Sequence, residues 1–233
     1  MKRKFCVAAL LGLSALACAA FSREGQTGGR ATTEAVLGMM DKAAADFHSL
    51  TADIEHIKYT EVVKDTSTET GQIFVRRDQR MRIDIAKPDP RTVLRIGDAL
   101  YVFTPKINRV EEYDLGKNRS MVDQYVLLGF GTKSQNMLKS YDVSLTGEEE
   151  LDHRKTFLLE LTPKSDDIRR QITKIQMWID QASWLPLQQK FFEAGSGDYF
   201  LFHYTNMMKN LKISDSKFKA DWPKDASHVR PHG

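Results

Sequence analysis

The chain has 233 residues, 41% of them hydrophobic and 28% charged, enough for one substantial core and too few to require two. Its net charge of +3 arises in the first few residues: without Lys2, Arg3 and Lys4 the 34 basic residues become 31, equal to the 31 acidic ones. That balance excludes nucleic acid as the main partner, because phosphate binding relies on clustered, uncompensated Lys and Arg.

Residues 1–20, "MKRKFCVAALLGLSALACAA", place three cations before an apolar run that ends in small residues, the pattern of a secretory signal. The run from Phe5 to Ala20 is shorter than the roughly 20 residues a membrane-spanning helix needs. Cleavage after a small-x-small site at Ala17–Ala19 predicts export to the periplasm; lipidation of Cys18 within "ALAC" is the alternative, with Ala15 where the lipidation motif prefers Leu. Both cysteines, Cys6 and Cys18, lie in this segment, so the body of the protein is expected to hold together by packing alone.

Residues 21–31 read as a polar linker, and 32–233 as a single domain. From Thr32 to about residue 49 the spacing of Val36, Met40, Ala43, Phe47 and Leu50 predicts a helix with one apolar face, with Glu34 in its first turn. Alternating β-branched and aromatic residues between short turns then predict strands near 51–64, 69–77, 80–86, 91–96, 99–104 and 107–114, joined as an antiparallel meander. Between residues 116 and 141 the period changes: Met121, Tyr125, Leu128, Met137 and Leu138 suggest two short helices broken at Gly129 and Gly131. A hairpin over 141–164, a pair at 171–180 and 184–194, and a strand at 198–206 complete a count of about 11 strands.

The expected fold class is therefore α+β, mainly β: a strongly curved antiparallel sheet forming an incomplete barrel, its concave face covered by the N-terminal helix and the helical insertion. A sheet of that size curls, and one curled sheet cannot bury its concave face without filling. Some strands are apolar on both faces. Tyr101 and Phe103 oppose Leu100 and Val102, and Phe200, Phe202 and Tyr204 oppose Tyr199 and Leu201, so these strands are covered on both sides or line a cavity.

Residues suited to chemistry are sparse. Gly195-Ser196-Gly197 sits between two strands and lacks the spacing of a nucleophile elbow. Glu148, Glu149, Glu150 and Asp152 form a polar hairpin tip rather than an acid–base pair. The six histidines show no helical ligand pair, and Gly129 and Gly131 do not follow a strand as a phosphate loop requires, so neither an enzyme nor a cofactor is expected. Nine methionines, among them Met39, Met40, Met121 and Met137 beside the helical parts, suit either an adaptable apolar binding surface or ordinary gap-filling in a core.

The order of these elements resembles the LolA/LolB-like superfamily of periplasmic lipoprotein carriers, or outer-membrane lipoprotein-sorting proteins. The likeness spans most of residues 32–230, through "DFHSLTADI", "GQIFVRRDQRMRIDIAKPDPRTVLRIGDALYVFTP", "FLLELTPK", "ITKIQMWIDQASWLPLQQKFF" and "DSKFKADWPKDASHV". It implies a half-barrel whose cavity shields the acyl chains of a lipoprotein or lipid. Partners would be that cargo, an inner-membrane release complex and an outer-membrane acceptor. The resemblance places Arg82 at the arginine that ties barrel to lid, whereas the alternation of Met81, Ile83 and Ile85 points those three inward and Arg82 outward. Expected ligand-binding residues are Met40, Phe47, Met81, Ile83, Tyr101, Phe103, Met121, Leu128, Met177, Phe191, Phe200 and Phe202. The competing reading is a sensor or structural subunit of an envelope complex that uses the same half-barrel to bind a protein.

Overall fold

The structure, a computed structural model, describes residues 31–116 and 127–231. The expected leader at 1–20, Cys18, most of the linker and Met121 lie outside the described residues.

One open, curved sheet of twelve strands dominates the fold. In chain order the strands are β1 (Ser49–Thr60), β2 (Asp65–Arg76), β3 (Arg80–Lys87), β4 (Arg91–Ile96), β5 (Ala99–Thr104), β6 (Arg109–Asp114), β7 (Tyr141–Leu151), β8 (Arg154–Pro163), β9 (Ile172–Asp180), β10 (Pro186–Glu193), β11 (Tyr199–Lys209) and β12 (Ser227–Val229). Among the described residues the α-helices are α1 (Thr33–Ala45), α2 (Ser134–Ser140) and the short α3 (Asp166–Arg169). Spatial order is β12-β6-β5-β4-β3-β2-β1-β11-β10-β9-β8-β7, antiparallel throughout except for β12, which runs parallel to β6. The eleven expected strands are present; β12, three residues long, is the addition.

Two meanders, β1–β6 and β7–β11, meet where β1 pairs with β11, so the last strand of the first meander and the first strand of the second lie at opposite ends of the sheet. The connection from β6 to β7 therefore joins opposite ends of the sheet, and among its described residues Leu128 and Phe130 pack into the core.

Helix α1 starts at a Thr32 cap, whose Oγ1 accepts from the Ala35 amide at 3.2 Å, and buries Val36, Leu37, Met40 and Ala44. It stops at Ala45, short of the expected residue 49, and its inner face carries Ala44 rather than Ala43. Sheet pairing overrides the local period here. Ser49 and Leu50 are already registered against Arg76 and Val75. Asn210 holds the turn between helix and strand, donating to the Asp46 carbonyl at 2.6 Å and accepting from the His48 amide at 2.8 Å. Phe47 consequently belongs to no helix and points into the core from that turn.

The core has two lobes on one face of the sheet. One gathers Val36, Leu37 and Met40 of α1 with Leu159, Leu161, Ile175, Met177 and Phe191 of the second meander. The other gathers Phe47 with Leu50, Ile54, Ile73, Val75, Met81, Ile83 and Ile85 of the first. Phe202 packs against both.

Candidate functional site: the inner face and its plug

Cross-strand register explains why the inner face is continuous. Leu145, Leu159, Met177, Gln189, Phe202 and His56 form one row across six strands. Val143, Leu161, Ile175, Phe191 and Phe200 form the row beside it, with the Phe191 and Phe200 rings stacked at 4.8 Å. On the first meander Ala52, Ile73, Ile83 and Val93 continue the floor. Alternate residues share a face, so each row is the direct product of period-2 patterning in every strand.

The residues Leu127–Gly131 lie over this floor. Leu128 is buried in the first lobe and Phe130 in the second, its ring edge-on to Tyr204 at 5.0 Å. Gly129 and Gly131 both adopt left-handed backbone, at φ +84° and +69°. A Cβ on Gly129 would meet Met177 Cε at 2.7 Å, and one on Gly131 would meet Phe47 Cδ1 at 2.8 Å, so this turn seats only because it lacks those side chains. Thr132 donates to the Leu127 carbonyl, and both the amide and the hydroxyl of Ser134 donate to Asp41, fastening α2 to α1. We call residues 127–131 the plug. Between it and α2 lies a cleft of about 490 Å³, lined by Leu127, Leu128, Phe130, Lys133, Asn136, Met137 and Tyr141 among others.

One polar connection crosses from floor to plug. Gln189 Nε2 donates to the Leu128 carbonyl at 2.6 Å, while the Tyr204 hydroxyl donates to Gln189 Oε1 at 2.9 Å. Both side chains are buried, and burial pushes the Tyr204 phenol far above its ordinary range.

The expected ligand-binding residues divide four ways. Met40, Phe47, Met81, Ile83, Leu128, Met177 and Phe191 are on the inner side but fully packed in its two lobes. Phe200 and Phe202 are on the inner face and half-buried. Tyr101 and Phe103 are on the opposite face, where Trp222 covers them at ring distances of 5.5 and 6.0 Å. Register decides this: Tyr101 pairs with Leu94, which pairs with the outward Arg82. Met121 lies outside the described residues. Residues 127–131, at the end of the first expected helix, form a turn, the rest of that helix lying outside the described residues; Leu138 is 41% exposed on α2 while its neighbour Met137 is buried.

Arg82 also faces outward, with a side chain only 8% exposed. It donates to Asp84 at 2.7 Å, to Asp221 at 3.0 Å, and to the carbonyls of Lys217 and Lys219 at 3.4 and 3.3 Å. Burial works against its charge, but the Asp221 and Asp84 carboxylates more than offset this and raise its pKa. What it ties to the sheet is the segment leading to β12, rather than α1 or α2.

Gln189 and Phe130 escaped the sequence reading, and Tyr204 entered it only as one of the aromatic residues on a face of β11. A signal for Gln189 exists: Leu187, Gln189 and Phe191 alternate on β10, so a lone amide interrupts an inward apolar row. Among the described residues no group of three or more His, Cys, Asp and Glu is placed to hold a metal ion, and no helix is long and apolar enough to cross a membrane.

A family model described as "-like: Uncharacterized protein" matches residues 78–219, more than half of the chain. The chain belongs to that family. The matched region of this uncharacterized family runs from the start of β3 through the plug to the segment held by Arg82. An uncharacterized protein of Methanocaldococcus jannaschii is 27% identical over 131 residues, 56% of this chain and 35% of the relative. The chain thus spans about a third of the length of the curated relative it matches. Among solved structures, an uncharacterized conserved protein from Thermus thermophilus has a TM-score of 0.56 at 12% identity, covering 85% of this chain and 98% of that one. MucB has a TM-score of 0.52 at 15% identity, covering 81% and 62%. A LolA superfamily protein from Nitrosomonas europaea is similar at 16% identity over 82% and 99%, with a TM-score of 0.42. The fold expected from the sequence, a curved open sheet with an N-terminal helix, is the one observed, and the Thermus thermophilus protein and MucB share it.

Proposed function

We propose that this protein is an exported, non-catalytic carrier that shields the acyl chains of a lipoprotein or lipid and moves them through the periplasm towards the outer membrane. A single domain from residue 32 onward, freed of its leader, would take cargo from an inner-membrane complex and pass it to an outer-membrane acceptor. The observation that carries this reading is the cover of the inner face. An apolar floor runs from β7 to β4, and over it lie one helix and a glycine-hinged turn, with Phe200 and Phe202 left half-exposed. Acyl chains gain about 0.8 kcal/mol per buried CH2, so even a loosely fitting floor of this extent shelters a chain once the turn moves aside.

The full packing of Met81, Met177 and Phe191 favours a second reading, in which the half-barrel is already filled and binds a protein partner on its surface. MucB, which shares the fold, has been solved in complex with MucA of Pseudomonas aeruginosa. Mass spectrometry of the protein purified from its own envelope separates the two: co-purifying acyl lipid supports the carrier, and a lipid-free stoichiometric protein complex replaces it with the second reading.

A further inference from the structure

Gln189 is out of keeping with its surroundings. It lies midway along β10 with no solvent exposure, registered between Met177 and Phe202. A buried amide in such company destabilises the fold unless both of its ends are satisfied. Both are, by groups of different standing. Tyr204 is part of the sheet floor and donates to Oε1; the Leu128 carbonyl belongs to the plug and accepts from Nε2. A carbonyl only accepts and the phenol here donates, so the amide is fixed with its NH2 towards the plug. At this point of the floor Gln189 therefore presents an oriented donor, aimed at whatever lies above it. What lies above it is a carbonyl with apolar arms on either side, Leu128 reaching into one lobe and Phe130 into the other. A carbonyl carrying apolar arms is also the chemistry of an acyl ester or amide.

Resting on the acyl-carrier reading, we propose that the plug is an internal stand-in for the cargo, and that Gln189 is the residue that recognises the cargo's carbonyl. When cargo enters, Leu128 and Phe130 withdraw, acyl chains take their places in the two lobes, and Gln189 Nε2 donates to an ester or amide carbonyl instead of to Leu128. Tyr204 positions the amide in both states. No other polar group need be desolvated, since the donor exchanges one carbonyl for another. The plug is suited to withdrawal because Gly129 and Gly131 hold it in left-handed turns whose seating against Met177 and Phe47 leaves no room for a methyl group. The ligand class that follows is acyl esters and amides, in preference to ether-linked lipids of the same length, which lack the carbonyl.

The test is fluorescence titration of the full chain with a labelled acyl-ester lysophospholipid and its ether-linked counterpart of equal chain length. Wild type is expected to bind the ester about tenfold more tightly, the value of one well-placed hydrogen bond. Gln189→Leu removes the preference, with ether affinity equal to or above that of wild type because the plug also loses its tie, and Tyr204→Phe narrows it. Gly131→Ala unseats the plug and tightens both probes equally, so the ratio persists. Equal binding of the two probes by wild type overturns the assignment of Gln189 without needing any variant to fold, and leaves the carrier reading standing. An ester preference that survives in folded Gln189→Leu overturns it as well. Failure of both probes to bind wild type and Gly131→Ala overturns the carrier reading itself, and this inference with it.

Discussion

Strands β3 and β4 are covered on both faces, and the two covers differ in how far they rely on charge. On the inner face the plug and Phe47 contact the sheet through apolar side chains, with the Gln189 amide the polar link from floor to plug. On the outer face the segment from Leu211 to Val229 is clasped by charge. Arg76 and Arg80 hold Asp215, Arg82 holds Asp221, and Lys217 both pairs with Asp84 at 2.8 Å and sits 3.9 Å above the Phe74 ring. Trp222 then lies on Tyr101 and Phe103, and β12 extends the sheet beyond β6. Ion pairs and hydrogen bonds are directional and specify one seating; apolar contact is not, and tolerates the exchange of one apolar object for another. The strap, which also seats the buried Phe218, is held by directional contacts, and the plug mainly by apolar ones.

The comparison breaks most visibly at Phe47. Truncation to Ala should cost ~3–5 kcal/mol, since the ring is fully buried among both strands and plug, and chemical denaturation reads the loss directly. An intact fold with tighter acyl binding would show that the ring belongs to the replaceable cover instead of the permanent core.

Arg82→Leu tests the other face. Losing the guanidinium frees Asp221 and two carbonyls of the strap, at a cost of about 2 kcal/mol, because Asp221 is largely exposed while Asp84 keeps Lys217. Tryptic cleavage after Lys217 and Lys219 should accelerate while acyl-probe affinity stays unchanged. A gain in affinity would mean that the outer clasp controls the inner cover.

Acid provides the smallest and most selective perturbation. Burial acts to raise the Asp84 pKa, but its bonds from Lys217 and Arg82 hold it below the ordinary carboxylate value, and the bond from Arg76 does the same for Asp215. Groups depressed in the folded state stabilise it fully above their unfolded value, near 3.9, and lose that contribution as pH falls through the folded one. Hydrogen-exchange protection across residues 215–222, taken relative to the free-peptide rate at each pH, should therefore be constant from neutrality to about pH 4 and fall below it, with a smaller acid step in Asp84→Asn. The plug, which has no carboxylate in its polar link, should show no matching step.

Sequence patterning located the strands well where turns are tight: β4 and β5 fall at 91–96 and 99–104, as the alternation and the Ile96–Ala99 turn imply. Alternation also identified which residues share a face, but not which face is inner. That is why Met81 and Ile83 are on the inner side as expected while Tyr101 and Phe103, read by the same rule, lie beneath Trp222. Resolving it required the register between β3, β4 and β5, a pairing of strands that no single strand encodes. The early end of α1 has a similar cause, because Phe47 and Leu50 keep a helical spacing that the sheet overrules. The strap was legible only as a motif, its outward seating being fixed by Arg82, whose partners lie some 135 to 139 positions further along.

The seam between β1 and β11 has a consequence for the order of assembly. Its partners are far apart in the chain, Leu50 meeting Lys209 and Tyr59 meeting Tyr199. Each meander can form hairpin by hairpin as it is made, but β1 presents an unpaired edge until nearly the whole chain exists, and such distant pairings are slow to find. The plug draws its seat from both sides of that seam, Leu128 packing with Met177 and Phe191, and Phe130 with Tyr204 and the strands of the first meander. Closing the seam completes the half-barrel around its own first occupant, so every molecule begins life with its apolar floor covered.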